Sequence, residues 1–199
     1  MVGSNLPECF VCQFQDAGYP CRRADGAGLD FGKIAREYVR GGHAYGGDKI
    51  DQQLSDETRW ASECADEITQ RHPDLALPLV IAAIDACETL EDAAYVAAGI
   101  TENMVVRQGP HVIGDIERLA SRSAKFRYIL SGIWSQGGSV DKRVWERIGI
   151  AVARGGRMSN DGRGPWDGKP VTVLDEAAAL ALLREESVGD IARALGLID

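Results

Sequence analysis

From Asp30 onward, apolar residues recur at helical spacing. Phe31, Ile34, Ala35, Tyr38 and Val39 fall at i, i+3, i+4, i+7 and i+8, one face of a helix, and Gly41-Gly42 predicts its end. A second stripe of Trp60, Ala61, Cys64, Ala65 and Ile68 follows Ser55, which reads as a cap with Asp56 and Glu57 in the first turn. Pro73 suits the first turn of a third helix carrying Leu75, Leu79, Val80, Ala83, Ile84 and Cys87. Pro78 lies deeper than a first-turn proline and predicts a kink or a late start. Thr89 and Asp92 resemble a capping box, opening a helix through Tyr95 and Ala98 towards Met104. Gly109-Pro110 predicts a break before Val112, Ile113, Ile116, Leu119 and Ala120. Ser123 then caps Phe126, Ile129, Leu130, Ile133 and Trp134, with a stop at Gly137-Gly138. Ser139 caps Val140, Val144, Ile148 and Val152, with a stop at Gly155-Gly156.

Strand alternation is never sustained, and Val171-Thr172-Val173 is the one β-like run. The expected fold class is all-α. A bundle of about seven helices spans 29–154, after an irregular Cys-containing leader over 1–28. A Gly/Pro linker over 155–170 leads to a two-helix tail over 171–199. Its helices are expected at 176–185, started by Asp175 or a neighbour, and at 188–195, capped by Ser187 with Asp190 and ended by Gly196. Leu180, Leu183, Ile191, Leu195 and Leu197 make one apolar surface on helices too short to stand alone. That surface needs a home, and a flexible linker favours a second subunit over the chain's own bundle. Trp60, Trp134 and Trp145 lie on or beside the stripes and read as core packing rather than a ligand cage.

Composition narrows the class. The 199 residues, 45% hydrophobic and 26% charged, are ordinary for a globular domain and exclude a disordered or collagenous chain. No apolar run approaches the roughly 20 residues that span a bilayer, and the opening residues do not resemble a signal peptide. Five cysteines, an odd number, point to a reducing cytoplasm rather than a disulfide scaffold. The net charge of −8 hides an asymmetry. Residues 51–100 hold eleven acids against Arg59 and Arg71, whereas 118–163 hold ten bases against Asp141, Glu146 and Asp161. A chain so divided steers charged partners or pairs head to tail with itself, although a solvated face is the plainer reading of any charge run.

Candidate chemistry is sparse. Cys9 and Cys12 form a Cys-x-x-Cys with Cys21 beyond, and His43 is the best fourth zinc ligand, ahead of Asp16 or Asp25. A second Cys-x-x-Cys is missing, so unligated thiols are the favoured reading and no cofactor is expected. Cys64 and Cys87 lie on stripes and read as small buried hydrophobes. His43, His72 and His111 share no ligand spacing. Glu102 and Glu117 lie on helices expected to be partly buried, and Arg127 follows Phe126 on a core helix. A structural ion pair is the first reading of these three residues and a polar site between helices the second.

Trp60, His72-Pro73, Ala97-Ala98-Gly99 with Glu102, Ile116-Glu117, Ala120, Phe126-Arg127, Leu130, Gly132, Trp134 and Val144-Trp145 carry a resemblance over about 30–153. The pattern resembles an uncharacterised bacterial helical domain family of unknown function. It implies the bundle fold and no assigned chemistry. The tail, with Ile191-Ala192 and Leu195-Gly196, is similar to the first two helices of a resolvase-type helix-turn-helix. The sequence stops at Asp199 before a recognition helix, so the expectation is a helical clip rather than a DNA reader. The combined expectation is a bacterial cytoplasmic interaction or regulatory module acting through a protein partner or self-association, with no membrane and no small-molecule ligand. The rivals are a nucleic-acid-associated accessory protein using the basic 118–163 region, and an enzyme of unrecognised class with Glu102 or Glu117 as its acid.

Overall fold

The computed structural model describes residues 20–23, 28–134, 138–159, 164–165 and 172–199. Among them the fold is all-α. The helices are α1 (Phe31–Gly42), α2 (Gln52–Arg71), α3 (Pro73–Asp85), α4 (Leu90–Val96), α5 (Glu102–Ala120), α6 (Ala124–Leu130), α7 (Lys142–Val152), α8 (Glu176–Glu185) and α9 (Val188–Ala194). A 3-10 turn, His43–Tyr45, follows α1, and a π-type segment, Ala97–Thr101, joins α4 to α5. Asp30 caps α1 by accepting the Lys33 N–H at 2.8 Å, and the Thr89–Asp92 capping box is formed in both directions.

Several boundaries differ from the sequence pattern, each for a local reason. Asp51, rather than Ser55, caps α2, accepting the Leu54 N–H at 3.0 Å, so the helix gains a turn at its start. Asp141, rather than Ser139, caps α7 through the Arg143 and Val144 N–H groups. α3 begins at Pro73 with no late start and carries Pro78 inside it. α5 runs unbroken through Gly109-Pro110. Pro110 is solvent-exposed, and Gly109 is a packing position: a Cβ there would lie 2.9 Å from Val144 Cγ1. The real break is at Gly99, whose φ of −99° and ψ of −107° leave helical space. The Tyr38 hydroxyl occupies the volume where a Cβ on Gly99 would sit, so only glycine lets the chain turn against α1. α6 also ends early, at Leu130, leaving Ile133 buried and Trp134 38% exposed outside the helix. Trp134 therefore departs from the core role expected of it, while Trp60 and Trp145 are partly buried against the core.

The core gathers around α3. Its Leu77, Leu79, Val80, Ile81, Ala83 and Ile84 are all buried, and α1, α2, α5 and α9 pack on it. The tail packs on the bundle of its own chain. Leu183, Val188 and Ala192 enter the same apolar core. Two acids then exchange caps across the seam. Asp85, at the end of α3, accepts the Val188 N–H at 2.7 Å and the Gly189 N–H at 2.8 Å at the start of α9. Glu186, from the tail, accepts the Ala124 N–H at 3.2 Å, the Lys125 N–H at 2.9 Å and the Ser123 hydroxyl at the start of α6. Lys125 is 2% exposed and donates its Nζ to the Leu183 carbonyl at 2.7 Å. Burial pushes its ammonium below the ordinary lysine value, against the opposing pull of Asp85.

Two stability predictions follow from these contacts. Gly99→Ala should cost about 1–3 kcal/mol in urea unfolding, because the new methyl must displace the Tyr38 hydroxyl. Adding Tyr38→Phe should recover part of that loss; a Gly99→Ala protein as stable as wild type would show that this contact does not set the break. Asp85→Ala or Glu186→Ala should each remove about 1–2 kcal/mol, the loss of a helix cap. Hydrogen exchange should then accelerate in α8 and α9 before α2 or α5, and uniform acceleration would contradict a separable tail seam.

Candidate functional site

The three residues singled out as a polar site hold three different partners. Glu102 is 6% exposed, and its Oε2 accepts the Trp134 backbone N–H at 2.8 Å. It anchors the chain leaving α6 onto the start of α5. Glu117 takes Arg147 of α7 in a two-point pair at 2.8 and 2.5 Å, and the guanidinium holds its carboxyl below the usual value. Arg127 donates Nη1 to the Ala120 carbonyl at 2.5 Å, while its buried Nε has no hydrogen-bond acceptor among the described residues. Among the described residues, Glu117 alone of the three forms an ion pair, and it does so with Arg147.

The weak zinc set is divided likewise. Cys9 and Cys12 lie outside the described residues. Cys21 is buried at 1% exposure, and His43 sits on a different carboxylate: its Nε2 lies 2.6 Å from Asp92 Oδ1. No group of three or more His, Cys, Asp or Glu among the described residues is arranged to hold a metal. Burial alone would push the Asp92 carboxyl up. His43, together with the Glu88 and Thr89 donors, outweighs burial and leaves it below the ordinary value. The pair ties the end of α1 to the start of α4. Cys87 is buried, and burial pushes its thiol up to about 12, so it is a packed thiol and not a nucleophile.

A hollow of about 910 Å³ runs along the seam of α1, α3 and the tail, floored by Phe31, Leu75, Pro78, Ile81 and Leu197. Its charged residues, among them Arg36, Asp74 and Glu88, carry both signs and select no ligand charge.

The surface with a definite character is built by α2, α5 and α7. α5 lies between the other two. On one side Asn103 donates to Asp66 at 2.9 Å and Gln108 to the Gln70 carbonyl at 2.6 Å. On the other, Gly109 receives Val144 and Glu117 receives Arg147. The α7 side is basic. Arg143, Arg147 and Ile150 follow one another at helical spacing on its solvent face, Arg154 stands exposed in the turn just past its end, and Ile150 is 68% exposed. Arg107 and Arg122 extend the charge onto α5 and just past its end. Arg107, Arg122, Arg143 and Arg154 have no ion-pair partner among the described residues. The α2 side is acidic, with Asp56 and Glu63 bounding an open hollow of about 450 Å³ that Trp60 and Arg59 complete. Lys33 Nζ already stands 5.5 Å from the Trp60 ring centroid, a cation over an aromatic face. The segmental charge anticipated this division; Ile150 went unnoticed because it belongs to no core stripe. Its signal was an isoleucine standing between arginines at helical spacing.

The architecture defines an all-α domain in which α5 lies between an acidic α2 side and a basic α7 side. Within that class the chain belongs to the family of unknown function DUF6869, whose match covers residues 48–156, from just before α2 to just beyond α7. Both the acidic and the basic sides lie within that span; the tail lies outside it. No curated protein and no solved structure matches the chain. No helix among the described residues is long and apolar enough to cross a membrane.

The His43–Asp92 pair makes a pH prediction with a definite sign. Asp92 has a lowered carboxyl pKa in the fold, so its stabilisation is present above the ordinary value of 3.8 and is lost as pH falls through the folded value. Asp92→Asn should cost about 1–2 kcal/mol near neutral pH through the damaged cap. Its urea midpoint should fall less steeply than that of wild type on acidification below 3.8. Parallel acid limbs would remove Asp92 from the acid transition.

Proposed function

We propose that this domain is a protein-interaction module that docks acidic protein surfaces on its α5–α7 face. The observation that carries the reading is the set of arginines around exposed Ile150, Arg143 and Arg147 on α7 and Arg154 in the turn after it, with Arg143 and Arg154 lacking ion pairs among the described residues. Charges left unpaired in this way steer a complementary partner, and an apolar residue between them supplies area that excludes water on contact. Nothing in the roles of Glu102, Glu117 and Arg127 supports acid–base chemistry, since each is bonded within the fold. A cytoplasmic setting suits a surface of this kind with a packed thiol at Cys87.

The same arginines favour one second reading, phosphate contacts on nucleic acid. Fluorescence anisotropy separates the two with defined probes: an acidic amphipathic helical peptide and a labelled duplex, each across a salt series. The peptide should bind, and Arg143→Glu with Arg154→Glu should weaken it by about tenfold. Tight duplex binding with a steep salt slope and no peptide binding would overturn the proposal in favour of the nucleic-acid reading.

A further inference from the structure

We infer that the acidic surface docked by α7 is α2 of a second copy of this chain, an inference that rests on the interaction-module reading and names its partner. The two helices carry complementary versions of one pattern. Along α7 and the turn that follows it, Arg147, Ile150 and Arg154 run charge, apolar, charge with steps of three and four residues, Arg154 lying two residues past the end of the helix. On α2, read backwards, Glu63, Trp60 and Asp56 run charge, aromatic, charge with the same steps of three and four. Both patterns cover eight residues, about 10 Å at the helical rise. Laid antiparallel, Arg147 meets Glu63, Ile150 meets Trp60 and Arg154 meets Asp56 in a single register. The next turn adds Arg143 opposite Asp66 and Glu67.

Shape agrees with charge. Ile150 is the projecting residue, 68% exposed on α7. The α2 surface offers the matching recess, the hollow of about 450 Å³ bounded by Asp56 and Glu63 with Trp60 in it. An apolar knob entering an aromatic hollow with ion pairs at both ends is the arrangement of a compact interface, with a water-excluding centre and a charged rim. Arg59 forms an ion pair with Asp56, and Arg147 pairs with Glu117, so contact adds to existing pairs and makes small networks. Arg143 and Arg154, with no ion pair among the described residues, gain new partners outright. Nucleic acid matches the arginines but has no counterpart for the Trp60 hollow. Each copy carries both halves of the contact, so the assembly closes as a two-fold pair or repeats head to tail.

The experiment is light-scattering mass across protein concentration at low and high salt, using the full chain. Wild type should associate with increasing concentration and dissociate in salt. Arg143→Glu/Arg154→Glu and Asp56→Lys/Glu63→Lys should each weaken self-association by about tenfold or more. Mixing the two variants should restore a complex, because each then presents what the other needs. That rescue guards against loss through misfolding, which circular dichroism checks directly. Ile150→Asp should weaken association even though it leaves every arginine in place. A wild type that stays monomeric at low salt, reversals without effect, or a mixture that fails to recover overturns the inference. If the wild type is monomeric and yet binds the acidic peptide through Arg143 and Arg154, the module reading stands and the second-copy inference falls.

Discussion

A helix that is apolar on nearly every side must be covered on nearly every side, and α3 imposes that requirement on the whole chain. Leu77, Leu79, Val80, Ile81, Ala83 and Ile84 leave α3 almost no face for water. Burial of each larger side chain contributes about 1.5–3 kcal/mol, so every neighbour is recruited to the task. α1, α2 and α5 form most of the enclosure, and α9 of the tail completes it with Val188 and Ala192. The tail is thus part of the cover for the central helix. Its own helices are too short to persist without that contact.

The polar end of α3 turns this cover into a fixed docking. Asp85 leaves α3 where α9 begins, and its carboxylate satisfies N–H groups that α9 cannot bond internally. Glu186 performs the reciprocal service for α6. Lys125 is buried between these two acids and bonded to the Leu183 carbonyl. Apolar contact brings the tail to α3, and the cap exchange sets its register. The same logic places Glu102 under Trp134 and Asp92 under the α4 start. Each of these acids closes a gap in backbone hydrogen bonding, so the charge at these seams is a feature of assembly.

The outer surface, in contrast, is divided by charge. α5 separates an acidic α2 from a basic α7, and the described side-chain bonds fix this order: Asn103 to Asp66 on one side, Arg147 to Glu117 on the other. Ile150 and Trp60 give each charged side an apolar centre. In the proposed contact, Coulombic steering would act over a Debye length of about 8–10 Å, and the apolar centre would then decide which encounters persist.

The amphipathic stripes of α1, α2 and α3 were legible because period and composition agree over many residues, and the Asp175 and Ser187 caps of the tail were legible because capping is local. The division of charge was legible too, since it needs only counting. What stayed hidden depended on residues far apart in the chain. Gly109-Pro110 reads as a break until Val144 shows why the glycine is there, and Gly99 reads as one more small residue until Tyr38 takes the place of its missing side chain. Glu102 and Arg127 looked like partners because both were expected to be buried, yet each found a nearer backbone group. The home of the tail turned on Asp85 and Glu186, acids whose sequence neighbours say nothing about a helix end about a hundred or sixty residues away. Sequence alone determined the all-α class, the stripes and the segmental charge, because periodicity and capping act over one or two turns. Only the tertiary structure decided where helices break, which acids cap them and where the tail lies, because those depend on atoms that only folding brings within bonding distance.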